Sequence, residues 1–304
     1  MQVREPWLWL MAMTCIFFWG GNFNAAEALA GEVSALTAAA ERFLIAAIIL
    51  LALRLGQGKR ESALSQHQIV WLVVLGVIGV FGFNYAFFLG LQQTSALNGA
   101  LIMAASPLVT NILSAWLLKT RITLLNALGI MIGLVGVSLV ITGNEWQNLR
   151  IAPGDLYMVL ACLCMCSFTV LSKKHAAHVP PMQLTRWTIV VGTGLLCLFA
   201  LLIEQPLQQL PTISLKSHIL LIYMGVFGTF VAYACWMKAL QGIAPGRLSL
   251  CFNFVPIFTL LIGLATGHYP NAAQLLGMLL VISGVLLGSG LIKKRAAVVR
   301  QPAN

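Results

Sequence analysis

Apolar residues gather into ten stretches separated by short polar breaks: 6–28, 35–54, 69–91, 98–118, 124–142, 154–173, 182–203, 218–240, 245–266 and 273–292. A helix needs roughly 20 mostly apolar residues to cross the hydrocarbon of a bilayer, and each stretch is about that long. The longest breaks lie near 55–68, 143–153 and 204–217, and none has room for a soluble domain. The pattern predicts an all-α membrane protein with ten transmembrane helices. Ala28-Leu29-Ala30 looks like a signal-peptidase site, but the apolar stretch before it is too long for a signal peptide. It is read as the first spanning helix.

The pattern repeats. At an offset of 149, Gly76, Val77, Gly79, Phe81, Leu91, Gln92, Leu101 and Pro107 fall on Gly225, Val226, Gly228, Phe230, Leu240, Gln241, Leu250 and Pro256. After a one-residue slip, Gly129, Gly136 and Val137 fall on Gly277, Gly284 and Val285. Two related bundles can enclose a site and rock around it, so a repeat in so apolar a chain points to a transporter. The expected halves are residues 1–147 and 148–304, five helices each.

Of 304 residues, 60% are hydrophobic and 9% charged, against about 25% charged in soluble proteins. Lipid must therefore be the solvent for much of the surface. The net charge of +10 does not indicate nucleic acid, because the basic residues sit singly or in short clusters between apolar stretches. They read instead as a topology signal. With the N-terminus inside, the cytoplasmic side receives Arg4, Arg54, Lys59, Arg60, Lys119, Arg121, Lys173, Lys174, Arg186, Lys238, Arg247, Lys293, Lys294, Arg295 and Arg300, which is 15 of 18. Arg42, Arg150 and Lys216 remain outside, where Glu27, Glu32, Glu145, Asp155 and Glu204 collect. Both termini are expected in the cytoplasm. Five spans per half then force the second half into the membrane from the opposite side, giving an inverted repeat.

Short motifs fall in a fixed order. Phe18-Trp19-Gly20 lies in the first stretch, Arg42-Phe43 in the second, and Phe88-Leu89-Gly90-Leu91 in the third. Ala105-Ser106-Pro107-Leu108 follows in the fourth and Phe254-Val255-Pro256-Ile257 in the ninth. Gly129 to Gly136 and Ser283-Gly284-Val285-Leu286 end the two halves. In this order the chain resembles the EamA-type branch of the drug/metabolite transporter superfamily. The resemblance covers nearly all of it and implies a gradient-linked exporter or exchanger of amino acids and related small metabolites in a bacterial inner membrane.

Polar residues inside lipid cost free energy unless they face protein or a wet cavity, so they mark candidate sites. Trp19 and Asn22 share a face of the first helix, while Asn24 points away from it. The third helix carries Asn84, Tyr85, Phe87 and Phe88, and the offset sets Asn84 on Tyr233 and Phe87 on Trp236. Met103, Ser106 and Thr110 run along the fourth helix, and Ser249 and Asn253 along the ninth. Together these predict an aromatic chamber with amides and hydroxyls but no central charge, suited to a small zwitterion. The competing role for the polar groups is helix-to-helix hydrogen bonding. Pro107 and Pro256 recur at equivalent places and read as hinges that free the carbonyls of Met103 and Phe252. Glu27, Glu41 and Arg42 are candidates for a gate or for coupling, with a solvated carboxylate or a local Glu–Arg pair as the plainer reading. The coupling gradient, proton or other ion, is left open. The glycines of the fifth and tenth helices, Gly129, Gly133, Gly136, Gly284 and Gly288, suit a dimer face or internal packing equally.

Other functions lack their chemistry. The seven cysteines all lie within apolar stretches, away from the loops where disulfide scaffolds and zinc knuckles form. Histidines 67, 175, 178, 218 and 268 fall at loops or span ends, without the paired acids an enzyme site needs. No Walker loop or other cofactor motif is present. A receptor would need a sizeable soluble domain, and a lipophilic-cation exporter usually needs a central acid.

Overall fold

Backbone amides in hydrocarbon have no water to bond, so long apolar stretches satisfy them internally as helices. The computed structural model describes residues 5–56, 64–119, 122–142, 152–240, 243 and 248–288. The main helices are α1 Glu5–Ala28, α2 Ala35–Gly56, α3 Gln66–Leu91, α4 Ala96–Leu117 and α5 Leu124–Thr142, then α6 Pro153–His175, α7 Pro181–Ile203, α8 215–240, α9 249–265 and α10 Ala272–Gly288. A single helical turn, Pro206–Gln209, follows α7. Six of the helices, namely α2, α3, α4, α6, α7 and α8, are long and apolar enough to cross a membrane, and shorter apolar helices lie in α5, α9 and α10. Many residues behind the charge bias (Arg4, Lys59, Arg60, Arg121, Glu145, Arg150, Arg247 and the four basic residues after 292) lie outside the described residues.

The helices are irregular at matching places. A π turn widens α3 at Val77–Gly82 and α8 at Val226–Val231, 149 residues apart. In α4 the helix breaks at Ala105, and Pro107 sits in the first turn of the segment that follows. In α9 a 3-10 stretch, Ser249–Phe254, passes into α-helix at Val255, again with proline, Pro256, in the first turn. Proline suits a helix start because that turn has no carbonyl to bond its missing N–H. The carbonyls expected to be freed are not open. That of Met103 accepts the Ser106 hydroxyl at 2.6 Å, and that of Phe252 accepts the Val255 N–H.

The packing also pairs the halves. A Cβ added to Gly136 would lie 2.9 Å from the Gly277 carbonyl oxygen, and one on Gly284 2.6 Å from that of Gly129. As α5 rises from 129 to 136, α10 descends from 284 to 277, so the two helices cross antiparallel with bare backbones touching. For these glycines and Gly133 the use is contact within one chain. A second pair behaves alike. Gly76 lies against Thr188 and Val191 of α7, and Gly225 against Arg42 and Ile45 of α2.

At one end of the bundle, carboxylates close helix starts. Glu204, just beyond α7, accepts the N–H groups of Leu36 and Thr37 at 3.0 and 2.8 Å, and the hydroxyls of Ser34 and Thr37. Glu32, between α1 and α2, accepts the Ser214 N–H and the Ser217 hydroxyl at the start of α8. Each satisfies donors that a helix start leaves orphaned and meets its positive end. Both bonds cross between residues 5–142 and 152–288. The hydrogen bonds from Ser214 and Ser217 hold the Glu32 carboxyl below its ordinary value of 4.5.

Two outcomes follow for stability. Gly284→Val should cost about 1–3 kcal/mol by overpacking and lower the thermal midpoint in detergent. Gly194→Ala, on α7 where an added Cβ meets nothing within 4 Å, should hold or raise it. Because the folded value of Glu32 lies below the unfolded one, its bonds contribute fully above pH 4.5 and are lost as pH falls through the lowered value. An acid titration of the thermal midpoint should therefore show a shallower decline in Glu32→Gln than in the parent.

Candidate functional site

Gly20 and Gly21 let two helices close onto α1. A Cβ on Gly20 would lie 2.8 Å from the Phe258 Cβ and 3.0 Å from the Thr259 nitrogen of α9, and Gly21 lies beneath the Tyr223 hydroxyl of α8. The neighbouring Trp19 is thereby held between α8 and α9. Its ring stacks on Phe252 at 5.3 Å and 19°, and meets Trp236 at 5.5 Å. Trp236 and Phe252 close the set edge-on at 4.8 Å and 61°. The three rings are half-buried and form a cage contributed by α1, α8 and α9. Met103 of α4 packs against the same core.

Three amides are buried on α1, α3 and α9. Asn22, about one turn from Trp19, donates Nδ2 to the Gly228 carbonyl at 3.1 Å, inside the α8 π turn. Asn84 donates to the Val80 carbonyl at 2.8 Å, inside the α3 π turn. A π turn disturbs the regular backbone bonding, and in each an asparagine serves a carbonyl. The Oδ1 atoms of both asparagines lack a protein partner. Asn253, next to Phe252 and only 5% exposed, has neither amide atom bonded. Each such buried polar atom costs about 1–3 kcal/mol unless a ligand or water meets it.

The remaining candidates divide. Tyr233, one turn before Trp236, bonds its hydroxyl to Thr185 of α7. Tyr85 rests on Phe81, which packs on Phe199 of α7, so it sits apart from the cage. Neighbouring residues point about 100° apart on a helix, and Asn84 and Tyr85 serve different surroundings. Phe88 is 1% exposed and meets Phe87 edge-on, deep in the core. Phe87 also packs on Phe23, whereas its repeat partner Trp236 is half-buried in the cage. The Ser106 hydroxyl is committed to Met103. The cage is thus asymmetric, with one ring from the first half, Trp19, and two from the second, Trp236 and Phe252.

Of the charged candidates, the Glu41 carboxylate lies 3.3 Å from His218 Nδ1 of α8, and Arg42 Nε donates to Thr229 Oγ1 at 3.0 Å in the α8 π turn. Both reach from α2 to α8. Glu27 lines a separate cavity with Asn24, whose amide donates to the Thr259 carbonyl at 3.1 Å. Sequence reasoning missed Phe252, Thr185 and Thr229. The 149 offset places Phe252 on Met103 and was the signal for it. Among the described residues no three histidine, cysteine, aspartate or glutamate side chains gather around one point.

Comparison with known proteins decides the family. The model of the EamA-like transporter family matches the chain twice, over residues 6–142 and 152–290. The chain belongs to the EamA-like transporter family. It is 35% identical over 290 residues to an uncharacterized transporter, YyaM, of Bacillus subtilis, covering 94% of each chain. It is 26% identical to the S-adenosylmethionine/S-adenosylhomocysteine transporter of Chlamydia muridarum, over 95% of this chain and 92% of that one. A crystal structure sharing 20% identity superposes with a TM-score of 0.64, covering 97% and 99% of the two chains, and has the same fold. This EamA-like protein is a multi-pass membrane transporter with a bilayer around it and a small molecule as its substrate.

The amides make a test of whether the site is structural. Asn253→Leu, of similar volume, removes no protein hydrogen bond and two unmet polar atoms, so it should hold or raise stability. Asn22→Leu leaves the Gly228 carbonyl unsatisfied and should cost about 1–3 kcal/mol. Thermal unfolding of the two purified variants checks the contrast.

Proposed function

We propose that this EamA-like transporter exports a small zwitterion, an amino acid or a close metabolite of one, across a bacterial inner membrane by alternating access. The observation that carries the proposal is the cage of Trp19, Trp236 and Phe252 beside buried amides with unmet atoms. An ammonium group donates to carbonyl oxygens such as those of Asn22, Asn84 and Asn253, a carboxylate accepts from Asn253 Nδ2, and the rings take the apolar part. Met103 and Tyr233 complete the lining.

The moving parts are ten spans in two inverted halves, residues 1–147 and 148–304, with both termini cytoplasmic. Support comes from the two separate family matches, the π turns 149 residues apart, and the antiparallel glycine contacts of α5 with α10. The breaks before Pro107 and Pro256 are the hinges, since backbone angles change there at low cost. The contacts of Glu41 with His218 and of Arg42 with Thr229 form a gate between the halves, which a proton or other ion gradient drives.

A second reading, an amino acid that carries a nucleoside, is favoured by the name of the Chlamydia relative and by the flat rings of the cage. Counterflow in proteoliposomes separates the readings, comparing amino acids, S-adenosylmethionine and organic cations. Trp19→Ala and Asn253→Leu should each reduce counterflow by about tenfold, the worth of roughly 1.4 kcal/mol, with reconstitution unchanged. Normal counterflow in both variants would rule out the cage. Movement of organic cations alone would make the protein a multidrug exporter.

A further inference from the structure

At the end of the bundle where Glu32 and Glu204 cap their helices, a cavity of about 310 Å³ opens between the ends of α1 and α9 and the starts of α4 and α10. We infer that this cavity is a second ligand site, for a small ammonium compound. It lies apart from the three-ring cage, and the site would bind whether or not the cage carries cargo.

The lining has one character. Its polar residues are Asn24, Glu27, Ser95, Thr259, His268, Tyr269 and Gln274, and its remaining residues are uncharged. Glu27 supplies the carboxylate, and among the described residues neither lysine nor arginine lines the cavity. Among the described residues the titratable groups facing it are Glu27, His268 and Tyr269, and the His268 ring already pairs its Nδ1 with Thr266 Oγ1. A half-buried carboxylate without a fixed cation beside it favours a mobile one.

The cavity is also firmly built. Gln274 of α10 donates to Asn98 Oδ1 at 2.7 Å and to Ser95 Oγ at 3.4 Å, tying α10 to the start of α4. Asn24 donates to the carbonyls of Thr259 and Gly20, tying α1 to α9. The amide nitrogen of Asn24 is thus engaged, leaving its oxygen as acceptor. The far wall is closed by the His268 backbone N–H, bonded to the Gly263 carbonyl at 2.8 Å. Tyr269 stands 82% exposed at the rim, where an aromatic face attracts a cation. The volume is at the small end of ligand cavities and admits a headgroup with a short apolar tail.

The test uses the full chain in lipid nanodiscs with Leu97→Cys as a reporter on the cavity wall. Labelling by a charged maleimide is followed by mass spectrometry of the peptide holding residue 97, so the seven native cysteines do not interfere. The probes are choline, its neutral isostere 3,3-dimethyl-1-butanol, and 3,3-dimethylbutyrate. Choline should slow labelling about fivefold, the effect of a carboxylate and a ring on one cation, while the other two leave it unchanged. Glu27→Gln should remove the protection without altering the rate in the absence of probe, and Glu27→Asp should keep part of it. Equal protection by choline and its neutral isostere, or none by choline, would overturn the inference in the parent cavity alone. Choline protection that survives Glu27→Gln would overturn it too. Failure of amino-acid counterflow in proteoliposomes would count against the cage and leave this result standing.

Discussion

The structure depends on one constraint, that a backbone carbonyl in hydrocarbon must find a donor within the protein. Regular helix meets the demand automatically. The departures in α3, α4 and α8 call on a side chain, the 3-10 stretch of α9 using the Val255 N–H instead. The π turn of α3 has Asn84 on Val80, and that of α8 has Asn22 on Gly228 and Thr229 on Met224. The break in α4 has Ser106 on Met103. Much of the polar inventory that sequence alone would assign to a chamber is thus engaged in repairing irregular helix. What is left over is informative: the Oδ1 atoms of Asn22 and Asn84, and both amide atoms of Asn253. These atoms, rather than polarity as such, are what the proposed site rests on.

The halves share their irregularities but not their surfaces. Equivalent glycines make equivalent contacts across α5 and α10, yet Trp236 of α8 joins the aromatic cage while its repeat partner Phe87 packs on Phe23 and Phe88. Under the proposed mechanism, a paired scaffold with an unequal lining would let the backbone move as a pair while the cargo meets a single set of rings.

Hydropathy made the helices legible to within a few residues, because lipid sets their length and composition together. The 149 offset made the π turns' surroundings and both prolines legible as equivalent positions. The local geometry was not legible. Nothing in GVFGTFV states that a turn will widen, and nothing in Met103-Ala-Ala-Ser106 states that the serine will close the carbonyl freed by proline. Asn84 turns to its own π turn while the adjacent Tyr85 rests on Phe81, because adjacency in sequence is divergence on a helix. Asn24 was set aside for pointing off the Trp19 face, and that direction is what takes it into the second cavity.

The paired π turns have a historical consequence. A widened turn holds one residue more than the α-helical ladder needs, so it is the mark of a single insertion. Two such marks at one offset are most simply a single event, inherited by both halves. If the two halves arose by the duplication proposed above, parsimony dates the widened turn before it.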